Sequence, residues 1–176
     1  MKMYRILLTF LAIILACSVS EAFLDRKTQQ KVNGICKQTP DTRFCSSVFA
    51  KSMIPSSPSN KDLMNMTVRQ AERFSANTNF FISTLLRNAG DEKPDLQMCA
   101  EAYTIVDMAF TNAVSYFDQG LYNNILKLQK KVSRGVSICK TDFIVPGYKI
   151  NPLIEKNRDA MVFMAMEKIV SRMVAS

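Results

Sequence analysis

The sequence predicts an all-α fold in which four long helices form an up-down-up-down bundle, preceded by a short N-terminal helical hairpin. Five glycines and six prolines punctuate 176 residues, which is sparse for a protein built from many short strands and turns. Apolar residues recur every three or four positions through four long stretches, as they do on one face of a helix. The connections between these stretches are short, so consecutive helices are expected to pack antiparallel.

Residues 1–22 are predicted to be a secretory signal peptide, and residues 23–176 a single domain. Two basic residues precede an apolar run from Ile6 to Ala16, and Ala22 suits cleavage before Phe23. The run is short against the ~20 residues that a membrane span needs. Removing two basic residues and one acidic residue with the leader leaves 21 basic and 14 acidic side chains, a net charge of +7.

The predicted hairpin combines a first helix within Leu24 to Cys36 and a second helix that starts at Pro40. Thr39 is the expected N-cap of the second helix, because its hydroxyl can accept from an unpaired backbone N–H. Pro40 fits the first turn, where its missing N–H costs no helical hydrogen bond.

The first long helix is predicted from Asn60 to near Asn88, because Ser59 and Asp62 have the spacing of a capping box and Gly90 supplies a stop. Its expected inward positions are Leu63, Met66, Ala71, Phe74, Thr78, Phe81, Ile82 and Leu85. The second long helix opens at Pro94 and ends at Gly120. Its apolar stripe is the clearest in the sequence: Cys99, Tyr103, Val106, Phe110, Ala113 and Phe117.

The third long helix is predicted to follow Gly120 and to break at Val145-Pro146-Gly147. Its inward positions are Tyr122, Ile125, Gln129, Val132, Val136 and Cys139. The fourth has Asn151 as its cap and Pro152 at its first position. Its inward positions are Ile154, Val162, Met166, Ile169 and Met173.

Four cysteines remain after leader removal, and an even number in an oxidising compartment predicts two disulfides. Cys36 and Cys45 flank the turn of the hairpin, so a local bridge suits them. Cys99 lies near the start of one long helix and Cys139 near the end of the next, and antiparallel packing brings those ends together. We therefore predict the pairs Cys36 with Cys45 and Cys99 with Cys139, both structural.

Catalytic chemistry has little support in this composition. Histidine is absent, which excludes Ser/His/Asp and Cys/His nucleophilic arrangements and removes the commonest metal ligand. Two carboxylate pairs, Glu101 with Asp107 and Glu155 with Asp159, have the chemistry of an acid and a base, but each also fits an exposed helix face. We predict a protein that is not an enzyme, with no catalytic residue, no metal site and no cofactor.

The absence of histidine also bears on pH dependence. Any change in behaviour between pH 5 and 7 would have to come chiefly from a partner or from carboxylates with strongly shifted pKa values.

The densest positive stripe lies in the third long helix, where Lys127, Lys131 and Arg134 are spaced four and three residues apart around Lys130. Two interpretations stay open: a solvated helix face, or a patch that docks an acidic partner. A nucleic acid fits poorly, since the chain lacks Trp and any interleaving of aromatic and basic residues. An acidic protein or a polyanionic wall polymer fits a secreted protein better.

One N-glycosylation acceptor motif is present, Asn65-Met66-Thr67, and whether it is used stays open.

The cysteine framework resembles the plant invertase and pectin methylesterase inhibitor family. The resemblance covers essentially the whole mature chain and rests on four features: Ile35-Cys36-Lys37-x-Thr39-Pro40-Asp41-x-x-x-Cys45, a cysteine about 40 residues before the last one, Cys99-Ala100-Glu101-Ala102-Tyr103, and Asn151-Pro152-Leu153. The resemblance implies a four-helix bundle with a helical hairpin and the same two disulfides. It also implies a secreted apoplastic protein that binds an enzyme, with an expected 1:1 stoichiometry, and blocks its substrate cleft.

The resemblance leaves two targets, pectin methylesterase and cell-wall or vacuolar acid invertase. Invertase inhibitors typically carry a Pro-Lys-Phe stretch early in the penultimate helix, where this chain has Leu121-Tyr122-Asn123-Asn124. The Cys36-Lys37-x-Thr39-Pro40 start and the tail instead resemble invertase inhibitors, the tail being like a pollen-allergen branch. We favour pectin methylesterase, or an unassigned target, over acid invertase, because the missing stretch is the more direct contact evidence. Acidic pectin is a further candidate partner.

A different class of function is the alternative: a non-inhibitory extracellular carrier that holds an apolar ligand inside a bundle rich in Met and Phe. Extraction of a copurifying lipid would distinguish a carrier from an inhibitor with a solid core.

Overall fold

A computed structural model describes residues 25–52, 57–141 and 151–175, and every regular element in these ranges is a helix, as the sequence predicts. The predicted signal peptide and the predicted break at residues 145–147 lie outside the described residues. The helices are α1 Arg26–Cys36, α2 Thr42–Lys51, α3 Asn60–Arg87, α4 Lys93–Asp118, α5 Tyr122–Thr141 and α6 Ile154–Ala175.

Helices α3 to α6 pack as a closed ring: α3 contacts α4, α4 contacts α5, α5 contacts α6, and α6 returns against α3. Helix α1 packs on α2, and both contact α6. The ring order follows the chain order, which is the predicted up-down-up-down bundle with its N-terminal hairpin. Among the described helices, none combines the length and the apolar character that crossing a membrane requires.

The hairpin is stapled by the predicted disulfide between Cys36 and Cys45, whose Cα atoms are 5.4 Å apart. The predicted start of the second helix is wrong by two residues. Asp41 is the N-cap, and its carboxylate accepts a hydrogen bond from the backbone N–H of Phe44 at 2.8 Å. The Thr39 hydroxyl donates to the Cys36 carbonyl instead, at 2.8 Å, so it serves the end of α1. A carboxylate is both a good cap and a favourable charge at a helix N-terminus, which explains the difference.

The predicted capping box opens α3: the Ser59 hydroxyl accepts from the Asp62 N–H, and the Asp62 carboxylate accepts from the Ser59 N–H. The predicted inward face of α3 is partly wrong. Four of its members are half-buried: Met66, Phe74, Phe81 and Leu85. Four residues outside the predicted set are buried: Met64, Thr67, Val68 and Ser75.

The reason is that α3 faces both α4 and α6, so its buried sector is wider than one stripe and displaced from it. Polar residues join this sector at low cost, because their hydroxyls donate to carbonyls one turn earlier. Thr67 donates to Leu63 at 2.8 Å and Thr78 to Phe74 at 2.8 Å. Phe74 still packs inward at its edge, with its ring 5.1 Å from that of Phe163 on α6.

All six residues of the predicted α4 stripe are buried, and Gly120 ends the segment with φ of 72°. The predicted disulfide joins Cys99 to Cys139 on α5, with Cα atoms 4.5 Å apart. The helices approach so closely here that a Cβ on Gly135 would lie 2.7 Å from the Ala102 carbonyl oxygen. Glycine is therefore required at position 135 by the α4–α5 packing distance.

The start of α6 also differs from the prediction. Residues 152 and 153 form a turn before the helix, in which the Asn151 side chain accepts from the Leu153 N–H at 2.8 Å. The Asn151 amide in turn donates to the Cys139 carbonyl at 3.0 Å, which ties this turn to the end of α5. Leu153 is fully buried and Ile154 is 51% exposed, so the inward prediction for Ile154 is wrong. Val162 and Met166 are buried as predicted, and Ile169 and Met173 are half-buried.

Candidate partner-binding surface

The predicted docking residues lie on the outer face of α5, where Lys127, Lys131 and Arg134 are all exposed. Spacings of four and three residues place them on one face, along about 10 Å of helix axis. The structure therefore brings together the three residues that the sequence singled out, and it adds Lys130 beside them.

Positive charge is concentrated on α5 and on the C-terminal half of α6. These segments hold seven basic residues of the mature sequence and one acidic residue, the buried Glu167. The rest of residues 23–176 then holds 14 basic and 13 acidic residues, so this part of the surface carries nearly the whole net charge of +7. The seven are Lys127, Lys130, Lys131, Arg134, Lys140, Lys168 and Arg172.

These cations are available to a partner. The ion pairs of the described residues involve Arg69 and Arg158, and none of the seven basic residues takes part in them. Lys127 donates to the Asn124 side chain at 2.9 Å, which leaves its charge uncompensated. An acidic partner could therefore pair with these cations without first breaking an ion pair among the described residues.

A groove of about 340 Å³ runs between α4 and α5 and will be called the α4–α5 groove. Its α4 wall is apolar, from Ile105 and Met108, and Met108 is 58% exposed. Its α5 wall is basic, from Lys130, Lys131 and Arg134. An exposed apolar side chain beside a basic rim has the composition of a protein-binding site, in which an apolar centre supplies affinity and charges select the partner.

A second groove of about 560 Å³, called the α5–α6 groove, lies on the other side of α5. It is more polar: Gln129 and Ser133 come from α5, and Lys168 and Arg172 from α6, with Lys130 shared between the two grooves. Both side-chain atoms of the Gln129 amide are buried and have no hydrogen-bond partner among the described residues. Unsatisfied buried amides are costly, so a rotation of this side chain towards a ligand with hydrogen-bonding groups would be favourable.

One carboxyl group of the described residues is buried in the bundle. Glu167 is 1% exposed, and neither carboxylate oxygen has a hydrogen-bond partner among the described residues. Burial alone raises the pKa of this carboxyl well above its ordinary value of 4.5. Carboxylates with strongly shifted pKa values are one expected source of pH dependence in a chain without histidine. Glu167 is such a carboxylate.

Three of the four members of the candidate acid–base pairs make other contacts in the structure. Glu155 and Asp159 both bind Arg158, at 2.6 and 3.3 Å, which makes them partners in an ion-pair cluster. Asp107 accepts a hydrogen bond from the Ser75 hydroxyl on α3, whereas Glu101 is exposed. The described residues also contain no group of three His, Cys, Asp or Glu side chains placed to hold a metal ion.

The glycosylation motif lies near the start of α3. Asn65 is exposed, and its side-chain oxygen accepts a hydrogen bond from Arg69 at 3.4 Å. Thr67 of the same motif is fully buried. A transferase needs the hydroxyl of the motif, so the folded chain would be a poor acceptor and modification would have to precede folding of α3.

Sequence reasoning missed Met108, Gln129 as a polar lining residue, Lys168 and Arg172. Lys168 and Arg172 are spaced four residues apart on a helix, a signal that was present in the sequence. Their position opposite Lys130 depends on how α5 and α6 pack, which the sequence does not show.

Comparison with known proteins gives one finding. A family model described as plant invertase/pectin methylesterase inhibitor matches residues 30–174, which include every described helix except the first residues of α1 and the last of α6. No curated protein matches the chain.

Proposed function

The chain belongs to the plant invertase/pectin methylesterase inhibitor family, and from this premise we propose that it is a secreted inhibitor of pectin methylesterase. Family membership supports a proteinaceous inhibitor of pectin methylesterase or invertase, a protein that binds an enzyme and performs no reaction itself. The proposal adds a choice of target, a docking surface, and a 1:1 complex.

The observation that carries the docking proposal is the α4–α5 groove. Its apolar wall offers Met108 to an apolar anchor on the enzyme, and its basic wall offers Lys131 and Arg134 to acidic residues around that anchor. Lys127 extends the basic wall by one helical turn. Buried apolar contacts would supply most of the affinity, and the charges would raise the association rate and select an acidic surface.

The choice of target rests on the start of α5. Invertase inhibitors typically carry Pro-Lys-Phe in this region, and here Leu121 is 44% exposed while Tyr122 packs on Phe117 with ring centroids 5.9 Å apart. This segment offers no cation at the position where the invertase inhibitors have one. Pectin methylesterase is therefore the target we favour over acid invertase.

The test is a titration of the oxidised mature chain, residues 23–176, against purified pectin methylesterase and purified acid invertase at pH 5 and pH 7. We expect stoichiometric loss of pectin methylesterase activity and little loss of invertase activity. The double variant Lys131→Glu/Arg134→Glu should weaken inhibition, chiefly through a slower association rate.

The matched control is Lys61→Glu/Arg73→Glu, which makes the same change of charge at two exposed residues of α3, across the ring from α5. Loss of invertase activity alone would overturn the choice of target. Equal inhibition by the wild type and the α5 double variant would overturn the docking surface. Loss of neither activity would favour a carrier, for which both grooves are open at the surface.

We also infer that residues 1–22 are removed on secretion and that the mature chain acts in the apoplast, where members of the family are found. The expression of the full chain in a plant host tests both points. The secreted protein should begin at Phe23, and an Asn65 glycan would appear as a mass increase that is absent from an Asn65→Gln variant. Retention inside the cell would contradict the inference.

A further inference from the structure

We propose that the α5–α6 groove binds a carboxylate-bearing polysaccharide, namely de-esterified pectin. This inference rests on the proposed function, because hydrolysis of a pectin methyl ester leaves a carboxylate on the polymer. The chain would thus bind the polymer product of the enzyme that it inhibits, in a groove that neighbours the enzyme-docking groove and shares Lys130 with it.

The charge of the groove is the first argument. Lys130 from α5 and Lys168 and Arg172 from α6 line opposite sides of the groove, and none of them has an acidic partner among the described residues. The one acidic side chain of the two segments, Glu167, is buried and so presents no negative charge to the groove. Cations on both walls suit a ligand with repeated carboxylates better than one with a single anion.

The polar groups of the groove are the second argument. Gln129 lines the groove, and its amide oxygen and nitrogen are buried without a hydrogen-bond partner among the described residues. A rotation of this side chain towards the groove would let the amide accept from one sugar hydroxyl and donate to another. The Ser133 hydroxyl donates only to the Met164 sulfur, at 3.4 Å. Sulfur is a weak acceptor, so a sugar oxygen would replace it readily. A simple anion could accept from these groups but would offer no donor to the Gln129 oxygen.

The size and the apolar lining fit the same ligand. A volume of about 560 Å³ falls within the range of about 300–1,000 Å³ for small-ligand sites, so a short stretch of the polymer can be held. Met164 and Ile169 add apolar surface from α6, against which the C–H faces of sugar rings can pack. The groove therefore offers a uronate chain cations for its carboxylates, hydrogen-bonding groups for its hydroxyls and apolar surface for its ring faces.

The two grooves are separable by mutation. Lys168 and Arg172 line the α5–α6 groove alone, whereas Lys131 and Arg134 line the α4–α5 groove alone. Binding of polymer can therefore be measured without the enzyme, and inhibition can be measured with variants that lack the polymer site.

The experiment is calorimetric titration of the mature chain with a defined oligogalacturonate and with its fully methyl-esterified counterpart, at low and at physiological salt. The wild type should bind the carboxylate form more tightly than the ester, and added salt should weaken binding because the interacting charges are exposed. The variant Lys168→Gln/Arg172→Gln should bind at least ~10-fold more weakly, the equivalent of losing one charge-assisted contact. The control Lys61→Gln/Arg73→Gln removes the same charge from α3 and should change affinity much less.

A second variant, Gln129→Met, separates a ligand role from a structural one. It removes an unsatisfied amide from a buried position, so the fold should become no less stable, while oligogalacturonate affinity should fall. The proposal is overturned if the ester binds as well as the carboxylate form, or if the α3 control loses as much affinity as the groove variant. It is also overturned if Lys168→Gln/Arg172→Gln weakens enzyme inhibition and leaves oligogalacturonate binding intact, because the groove would then belong to the protein interface.

The inhibition assay on the same variants keeps the two proposals distinct. Lys168→Gln/Arg172→Gln should inhibit pectin methylesterase as the wild type does when a small soluble ester replaces the polymer as substrate. A chain that binds oligogalacturonate but inhibits neither enzyme would support the groove and overturn the proposed function.

Discussion

Replacing Glu167 by Gln is expected to remove a pH dependence of stability that originates in the centre of the bundle. Glu167 is 1% exposed, its carboxylate oxygens have no hydrogen-bond partner among the described residues, and burial is the cause of its pKa shift. Burial raises its pKa in the folded state above the unfolded value near 4.5. The folded chain therefore keeps a proton that the unfolded chain loses as the pH rises.

The sign and the size of the effect follow from proton linkage. The stabilising contribution is complete below about pH 4.5 and is lost progressively as the pH rises from that value towards the folded pKa. Within that window the free energy of unfolding should fall by about 1.4 kcal/mol per pH unit. For a domain of this size, the corresponding fall in Tm is about 3–6 °C per pH unit.

The assay is thermal unfolding of the oxidised mature chain, wild type against Glu167→Gln, at intervals from pH 4 to pH 7.5. The two proteins should have similar Tm values at pH 4, where both side chains are neutral, and the variant should be the more stable at pH 7. Glu101→Gln, at an exposed position of α4, is the matched control and should follow the wild type. A difference between wild type and Glu167→Gln that is constant across this range would refute the reasoning, since it would mean that Glu167 titrates alike in both states.

Two further predictions concern the packing of α4 against α5. Replacing Cys99 and Cys139 by Ser opens a 40-residue loop and should lower the free energy of unfolding by about 4 kcal/mol, which denaturant titration under matched conditions would measure; an unchanged midpoint would contradict it. Gly135→Ala places a Cβ 2.6 Å from Val106 Cγ2 and should destabilise the fold by about 1–3 kcal/mol. Gly34→Ala is the control, because its Cβ meets nothing within 4 Å in α1, and it should be neutral or stabilising by about 0.5–1 kcal/mol; equal losses in the two variants would show that close packing is not the cause.

The buried carboxyl also bears on function in an acidic compartment. The chain has no histidine, and Glu167 is a described carboxyl whose pKa burial raises well above its ordinary value. Glu167 directly precedes Lys168, which lines the α5–α6 groove. Measuring oligogalacturonate binding by the wild type and by Glu167→Gln at pH 5 and pH 7 would show whether the charge state of Glu167 affects the α5–α6 groove.

The sequence by itself determined where most of each helix lies, because helices depend on short-range patterns, and it determined the two disulfides. The α4 stripe from Cys99 to Phe117 repeats every three or four residues, and any helix with that repeat has one apolar face. The cysteine pairs followed from antiparallel packing of consecutive helices, which short connections enforce. The capping box at Ser59 and the stop at Gly120 are local chemistry of the same kind.

Only the tertiary structure decided which sector of α3 is buried and which residues of different helices meet. Phe74 and Phe81 were expected inside and are half-buried, because α3 is covered from two directions and its buried sector shifts towards Thr67 and Ser75. Both grooves combine residues from two helices, and their composition depends on helix rotation and spacing, which no local pattern encodes. Nothing in the sequence distinguishes Glu167 from the exposed charged residues of α6. Its burial follows from the packing of α6 against its neighbours in the ring.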